Sequence, residues 1–162
     1  MQPPASLRSA RESDVPVLAG IWYEAWLDGH LGNVPDDLVK IRTPESFQTR
    51  TAPRVAETTV AETESELAGF IMVHDDEVEQ VFVAAAHRGS GIATLLLAEA
   101  ERQVAAQGYA VAWLAVVPGN ARARRFYERQ GWTDEGPFDY PARLESGGII
   151  PVLCHRYTKP LA

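Results

Sequence analysis

Residues 78–94 read Val-Glu-Gln-Val-Phe-Val-Ala-Ala-Ala-His-Arg-Gly-Ser-Gly-Ile-Ala-Thr. A strand-like run passes through a short link into a turn with two glycines, and that turn opens a helix. Gly89 and Gly91 remove side chains where a backbone must come close to another group. The unpaired N–H groups and the positive dipole at the start of a helix favour an anion. The stretch therefore predicts the docking site of a phosphorylated cofactor, with a diphosphate at the turn.

Helices are predicted on both sides of this stretch. The clearest spans 91–107, because its apolar residues recur every four positions and Gly108 follows as a C-terminal cap. A second helix is predicted over 121–129. Two more precede the stretch: one begins after Ser13 as N-cap and ends near 28–29, and the other has Thr43 before it and Pro44 at its first position. The residues of the apolar stripe are Ile92, Leu96, Ala100 and Val104.

Strands are predicted from apolar or alternating runs bounded by turn signals. Those before the glycine turn form an antiparallel meander, and those after it alternate with helices. The last two are separated by a loop that contains Pro137 and Pro141. The pattern predicts one domain over 1–162, an α/β (α+β) fold with a mixed, mostly antiparallel sheet of about six or seven strands flanked by helices. The predicted strands are 7–10, 55–61, 67–73, 77–83, 110–116, 132–134 and 150–158.

Composition limits the function classes. The chain has 162 residues, 46% of them hydrophobic and 23% charged, as in globular proteins. Its net charge of −7 and the lack of a basic run disfavour nucleic acid and suit a cationic substrate. No apolar run approaches the roughly 20 residues of a membrane helix, and the first residues do not resemble a signal peptide. With a single cysteine, Cys154, the expected location is the cytoplasm and no membrane partner is expected.

Spacing separates the phosphate-binding motifs that compete for the glycine turn. A Walker loop needs Gly-x-x-x-x-Gly-Lys followed by Ser or Thr, and the sequence has no such string. A dinucleotide fingerprint would need a third glycine at position 94, which is Thr94, and an acidic residue at the end of the next strand. Residues 110–117 contain no acidic residue. A hydrolase elbow around Ser90 would need glycines at positions 88 and 92, which are occupied by Arg88 and Ile92. The turn therefore fits none of these three motifs.

The turn resembles the central motif of the GNAT superfamily of acyl-CoA-dependent N-acetyltransferases, which is Arg or Gln, two residues, Gly, one residue, then Gly or Ala. Residues 88–93, Arg-Gly-Ser-Gly-Ile-Ala, satisfy it. A second family pattern follows at the expected separation, and the resemblance covers about residues 77–132. The proline that usually follows the preceding strand is replaced by Ala84-Ala85-Ala86. The second pattern comprises Asn120, Ala123, Phe126-Tyr127 and Gly131-Trp132.

The resemblance implies a GNAT-type fold, acetyl-CoA as the acyl donor and a set of residues that bind it. The strand at 81–83 would pair with the pantetheine arm, and the N–H groups around Phe82 and Val83 could hold the thioester oxygen. Residues 88–94 would wrap the diphosphate, and Asn120 would bond pantetheine. The implied donor-binding residues are Val81, Phe82, Val83, Arg88, Gly89, Ser90, Gly91, Ile92, Ala93, Thr94 and Asn120.

The resemblance also implies catalytic residues. Tyr127 matches the family tyrosine near the sulfur, where a phenol could protonate the leaving thiolate. Glu77 and Glu79 share one face of their strand, a position from which family members use a glutamate as the base, often through water. Both are candidate bases, with Glu79 ranked first. Alternatively, both are solvated residues of a hairpin face, and a bulge would change which one points inward. His74 and His87 are weaker candidates, and no metal ligand set is recognised.

The acceptor would be a primary amine of a small molecule or of a peptide or protein. Trp22, Trp26 and His30 lie on one face of the first long helix, and Phe138 and Tyr140 lie in the late loop; these five could line its pocket or simply pack in the core. The function expected is acetyl transfer by direct attack of the amine. The alternatives are an acyl-CoA sensor without turnover and a dinucleotide-dependent redox enzyme. The sequence does not select one amine as the acceptor, and it is compatible with a homodimer.

Overall fold

The computed structural model describes residues 5–64, 66–144 and 146–161. Within these ranges the chain forms one seven-stranded sheet in the order β1-β2-β3-β4-β5-β7-β6. The pair β4 and β5 is parallel, and every other neighbouring pair is antiparallel. The predicted mixed, mostly antiparallel sheet is thus confirmed. The strands are β1 Ser6–Ser9, β2 Thr58–Glu62, β3 Leu67–His74, β4 Glu77–Val83, β5 Val111–Val116, β6 Thr133–Arg143 and β7 Ile149–Pro160.

Helices cover both faces of the sheet. Along β3, Phe70 and Met72 join the core cluster that contains residues of α1, α2 and α3, whereas Ile71 and Val73 join the cluster that contains α4 and Tyr127 of α5. Because side chains alternate along a strand, β3 is buried on both of its faces. The helices are α1 Val15–His30, α2 Asp36–Ile41, α3 Pro44–Thr51, α4 Ile92–Ala106 and α5 Ala121–Arg129; short 3-10 turns span Glu12–Asp14, Ala52–Glu57 and Ala85–His87.

Helix α4 lies where the glycine turn predicts it. Its four stripe residues are all buried, and the most exposed of them, Ile92, shows only 7% of its surface. Arg102 and Glu99 pair on the outer side through a 2.6 Å contact. Burial of this stripe against the sheet fixes the direction of the helix, and so fixes its first turn beside the end of β4.

The N-terminal half of the sheet shows two smaller differences from the predicted elements. Helix α1 begins at Val15, because Glu12–Asp14 forms a 3-10 turn in which the Asp14 carboxylate accepts a bond from the Arg11 amide at 2.8 Å. The predicted strand 55–61 begins three residues late. Ala52–Glu57 is a 3-10 turn with Pro53 near its start, and β2 begins only at Thr58.

The C-terminal hairpin corrects the predicted loop. Strand β6 pairs with β7 from Thr133 to Arg143, so the segment that contains Phe138 and Tyr140 is a strand. Its prolines are tolerated because β6 is the edge strand, where one side of the backbone has no neighbour to bond. A bulge between Asp134 and Pro137 interrupts the register. None of the helices in the described ranges is long and apolar enough to cross a membrane.

Candidate active site

The parallel strands β4 and β5 separate soon after they meet. Among the described residues their register has a single pair, Glu77 with Trp113, and the Trp113 amide donates to the Asp76 carbonyl at 3.0 Å. Beyond that point β4 continues along β3 while β5 continues along β7. The sheet therefore opens into a split toward the carboxyl ends of β4 and β5.

The β3–β4 register shows which backbone groups face the split. The Ala84 amide donates to the Ala68 carbonyl at 2.8 Å, in line with the pairing of Gly69 with Val83. Because antiparallel partners alternate between bonded and non-bonded pairs, the amide of Phe82 is directed toward β3, and those of Val81 and Val83 are directed away from it. The N–H groups that face the split are therefore those of Val81 and Val83, and Phe82 contributes its side chain instead.

The glycine turn lies at the end of this split and is open. Gly89 and Gly91 have φ values of +78° and +88°, a left-handed conformation that favours glycine. A Cβ atom on either residue would meet no other atom within 4 Å. Helix α4 begins at Ile92, so the amides of its first turn have no carbonyl partner within the helix. Among the described residues these amides have no main-chain acceptor, so the turn presents N–H donors to an approaching anion.

The polar side chains of the turn are engaged within the protein. Arg88 donates to the Asp28 carboxylate of α1 at 2.7 Å, and the Ser90 hydroxyl donates to the His87 carbonyl. His87 pairs with Glu66 at 2.7 Å. These contacts hold the turn in shape, and they leave binding at the turn to the backbone. A shallow depression of about 450 Å³ next to the turn is lined by Arg88, Arg122 and Asn120, among others.

A cavity of about 480 Å³ joins the split to the helices on one face of the sheet. Helices α1, α2 and α3 and the 3-10 turn after α3 line one side, and strands β4 to β7 line the other. Residues predicted from distant parts of the sequence meet here. Those of the predicted site that line the cavity are Trp22, Trp26, His30, Glu77, Glu79, Val81, Phe82, Asn120, Tyr127 and Tyr140.

Glu77 lies at the closed end of the split and has an unusual environment. Its carboxylate accepts a hydrogen bond from the Tyr140 hydroxyl at 2.6 Å. Burial raises its pKa from 4.5 to about 7, against the opposing effect of the Tyr140 bond. A carboxylate that titrates near neutrality can accept a proton at pH 7 and release it again. Glu77 therefore has the properties of a general base.

Glu79 occupies a different position. The register passes from Met72–Gln80 to Val73–Val78, so Glu79 is the extra residue of a bulge. Glu79 is paired with Arg54, whose Nε also donates to Glu57 at 2.9 Å. In this ion pair the Glu79 carboxylate is occupied by the Arg54 guanidinium, which leaves it less accessible to an acceptor amine. The geometry thus reverses the order expected from the sequence and favours Glu77 over Glu79.

Tyr127 projects from α5 into the cavity and is 8% exposed. Its ring packs against Trp132 and Tyr157, with centroids 6.2 Å away in each case. Burial raises its pKa above the ordinary range, so the phenol stays protonated. Within the described ranges the Tyr127 hydroxyl has no hydrogen-bond partner. Tyr127 is therefore a protonated phenol in the wall of the cavity.

Asn120 has a structural role as well as a place in the cavity wall. Its Oδ1 accepts the Ala123 amide at 3.2 Å and so caps α5. Its Nδ2 lies beside Gly29 of α1, where an added Cβ would approach to 2.8 Å. Asn120 thus sets the distance between α5 and α1 next to the split.

The aromatic residues predicted for the acceptor pocket divide into two groups. Trp22, Trp26, His30 and Tyr140 line the cavity, and the two tryptophans are also buried core residues. Phe138 does not belong to the wall; it packs edge-on against Trp113 with centroids 6.2 Å apart.

Sequence reasoning missed several residues of the cavity wall. Arg42, Arg50 and Arg54 line it from the region of α2 and α3, and Arg143 lines it from β6. Arg50 and Arg54 are four residues apart, a helical spacing that could have placed them on one side. Cys154 also lines the cavity, and burial raises the pKa of its thiol to about 12. In the described part of the chain no three His, Cys, Asp or Glu side chains are grouped to bind a metal.

The model of the Acetyltransferase (GNAT) family matches residues 20–132. A GCN5-related N-acetyltransferase from Rhodopseudomonas palustris superposes with a TM-score of 0.76 at 16% identity, covering 99% of this chain and 98% of that one. PaiA N-acetyltransferase from Thermoplasma acidophilum, in complex with coenzyme A, gives 0.75 at 17% identity and covers 98% and 99%. YncA from Salmonella typhimurium, with its cofactor acetyl-CoA, gives 0.70 at 19% identity and covers 99% and 95%. Comparison with curated proteins gave no significant sequence match.

Proposed function

Since the chain belongs to the GNAT family of acetyltransferases, we propose that it transfers an acetyl group from acetyl-CoA to a primary amine. The observation that carries this proposal is the convergence of three features on one cavity: free amides in the split, a base near neutral pKa, and a protonated tyrosine. Direct transfer needs a neutral amine, a polarised carbonyl and a proton for the departing thiolate. In the cavity Glu77 serves the first of these needs, the main-chain amides of the split serve the second, and Tyr127 serves the third.

The donor-binding part of the site fits acetyl-CoA. The glycine turn at 88–94 leaves open space where a diphosphate would approach, and the split leaves the Val81 and Val83 amides for the pantetheine arm. Asn120 lines both the cavity and the depression beside the turn. The coenzyme A and acetyl-CoA in two proteins of the same fold support this assignment. When bound, the donor supplies an activated thioester carbonyl.

Glu77 would act as the base. Its carboxylate takes a proton from the ammonium form of the acceptor, directly or through one water, and the Tyr140 hydroxyl holds the carboxylate in place. The Val81 and Val83 amides would stabilise negative charge on the carbonyl oxygen. Tyr127 would then give its proton to the thiolate.

Replacing Tyr140 by phenylalanine should shift the pH profile of kcat/KM. The Tyr140 hydroxyl stabilises the charged form of Glu77, so its loss raises the Glu77 pKa above about 7. Activity requires the deprotonated carboxylate, and the rising limb of the profile should therefore move to higher pH by about half a unit to one unit. Initial rates from pH 5.5 to 9 would measure it. If the limb stays in place or moves to lower pH, the Tyr140 hydroxyl does not stabilise the charged form of the base.

Replacing Gly91 by aspartate should weaken acetyl-CoA binding by at least about tenfold, because a carboxylate would meet the diphosphate at the turn. The matched control is Gly108→Asp, since Gly108 has a similar φ of +95° and equally open surroundings at the other end of α4. The two variants share the backbone strain but differ in position. Equal dissociation constants for both, measured by calorimetry, would contradict the diphosphate assignment.

Turnover with a panel of amines tests the proposed function. The protein would be incubated with acetyl-CoA and each amine, and mass spectrometry would count the acetylated product and the free CoA. We expect equal amounts of both, and none when acetyl-CoA is left out. If acetyl-CoA binds but no amine in a broad panel is acetylated above background, the chain is a sensor of acyl-CoA rather than an enzyme.

A further inference from the structure

Helix α5 carries a row of arginines on its exposed side. Arg122, Arg125 and Arg129 are three and four residues apart, so they share one face of the helix. All three residues are exposed, and no ion pair or side-chain hydrogen bond joins any of them to another described residue. Since the chain as a whole has a net charge of −7, this arginine row is a local reversal of charge.

Arg124 on the same helix shows which way the arginine row is turned. Its guanidinium donates to the Tyr157 hydroxyl and to the Asp134 carboxylate, each at 3.1 Å, and Glu128 accepts a bond from that hydroxyl at 2.9 Å. Positions 124 and 128 therefore face the C-terminal hairpin of β6 and β7. The arginine row is turned away from this hairpin, and its first member, Arg122, lies at the start of the helix.

The start of α5 brings Arg122 next to the glycine turn, where it lines the depression of about 450 Å³. The other charged residues of the described lining are Asp28 and Arg88, which are paired with each other at 2.7 Å. Asp28 and Arg88 thus balance each other, while the charge of Arg122 is left over. This depression therefore has a net positive charge.

A second depression, of about 280 Å³, flanks the turn on the side of α1. It shares Asp28 and Arg88 with the first depression, but its third charged residue is Glu24 instead of Arg122. The second depression is therefore net negative. Because an anionic group is attracted to the positive depression and repelled from the negative one, a phosphate beside the turn is directed toward α5.

Coenzyme A carries a further phosphate besides the diphosphate assigned to the glycine turn. Beyond the diphosphate lies a ribose, and its 3′-oxygen bears a phosphate monoester, which has up to two negative charges at neutral pH. Only that ribose separates the monoester from the diphosphate. A donor whose diphosphate lies at the turn thus places its 3′-phosphate beside the turn, where a guanidinium can donate two parallel hydrogen bonds to it.

We propose that the arginine row binds the 3′-phosphate of acetyl-CoA, with Arg122 making the contact and Arg125, one turn further along α5, adding to the attraction. This inference rests on the proposed function, because it takes the diphosphate to lie at the glycine turn. Arg122 then makes the protein selective for coenzyme A over carriers that present the same pantetheine and diphosphate without the 3′-phosphate. The 3′-phosphate takes part in no covalent step, so the contact acts on the affinity for the donor.

Two donors that differ by this one phosphate test the contact on the unmodified protein. Acetyl-CoA would be compared with acetyl-3′-dephospho-CoA by calorimetry. At low ionic strength we expect the dissociation constant to rise by about tenfold when the 3′-phosphate is absent, and we expect the ratio to shrink at about 0.5 M salt because the arginines are exposed. A ratio below about twofold at low salt would overturn this inference and leave the proposed function intact. Failure of both donors to bind would overturn the proposed function itself.

Variants then assign the contact to α5. Arg122→Gln should bind both donors about equally, with the affinity that the unmodified protein has for the dephospho donor. Arg129→Gln is the matched control, because it removes the same charge from the same face about two turns, or roughly 10 Å, further along the helix, and it should keep the full ratio. Both variants should unfold at the temperature of the unmodified protein, since neither arginine has a described partner to lose.

A double variant covers the case in which the neighbouring arginine replaces the first. Arg122→Gln combined with Arg125→Gln should remove the preference for the 3′-phosphate completely. If the folded double variant still distinguishes the two donors as well as the unmodified protein does, the assignment to these residues is wrong. The same holds if Arg129→Gln lowers the ratio as far as Arg122→Gln, because the effect would then come from the overall charge and not from a contact.

Discussion

Glu77→Gln should lower kcat by about a thousandfold at pH 7, the scale of a lost general base. Glutamine keeps the size of the side chain and can still accept the Tyr140 hydroxyl bond, but it cannot take a proton from the acceptor. The rising limb of the pH profile near 7, which follows from the pKa of Glu77, should disappear in the variant. Steady-state rates from pH 5.5 to 9 would measure both effects.

The chain offers a matched control for this substitution. Glu135 also lies on a strand and also accepts a bond from a hydroxyl group, that of Thr158 at 2.7 Å, but it does not line the cavity. Glu135→Gln should keep kcat within about twofold of the unmodified protein. If Glu77→Gln retains a third or more of the activity and its pH limb, a water molecule or another group is the base.

Tyr127→Phe should lower kcat by about a hundredfold and leave the affinity for acetyl-CoA nearly unchanged. The ring would remain packed against Trp132 and Tyr157, so only the proton for the thiolate is lost. The loss should appear in kcat because the phenol acts on the leaving group and not on the bound thioester. Steady-state kinetics together with calorimetry of acetyl-CoA would separate the two quantities.

Tyr157→Phe is the control for the loss of a buried hydroxyl. The Tyr157 hydroxyl donates to Glu128 at 2.9 Å and does not face the cavity. Its loss should lower thermal stability by the equivalent of about 1 kcal/mol with kcat within about threefold of the original. A Tyr127→Phe enzyme with full kcat would remove Tyr127 from the mechanism, whatever the control shows.

Local patterns predicted the elements whose residues are close together in sequence. Strand β4 and helix α5 have the bounds that the sequence predicted, and the apolar stripe of α4 is buried as expected. Gly89 and Gly91 have the positive φ values that their turn requires. Each of these features is set by neighbouring residues, so spacing alone carries the information.

Features that depend on long-range contacts were not predictable. Tyr140 reaches Glu77 across 63 positions of sequence, and Arg54 reaches Glu79 across 25. Because these contacts decide which glutamate is held by an arginine and which by a tyrosine, the sequence alone could not rank the two. The prolines of β6 suggested a loop, since the sequence does not show that this strand lies at the edge of the sheet. The arginines of the cavity belong to no recognised motif, and the four-residue spacing of Arg50 and Arg54 is a weak signal of a shared side.

Calorimetric titration of the folded protein with acetyl-CoA tests whether the split and the glycine turn bind that molecule, to which both are assigned. We predict a single site with a dissociation constant tighter than about 1 mM, the upper range of ordinary substrate affinities, and no heat from NAD under the same conditions. No heat with acetyl-CoA at millimolar concentrations would overturn the assignment of the split and the turn to this donor.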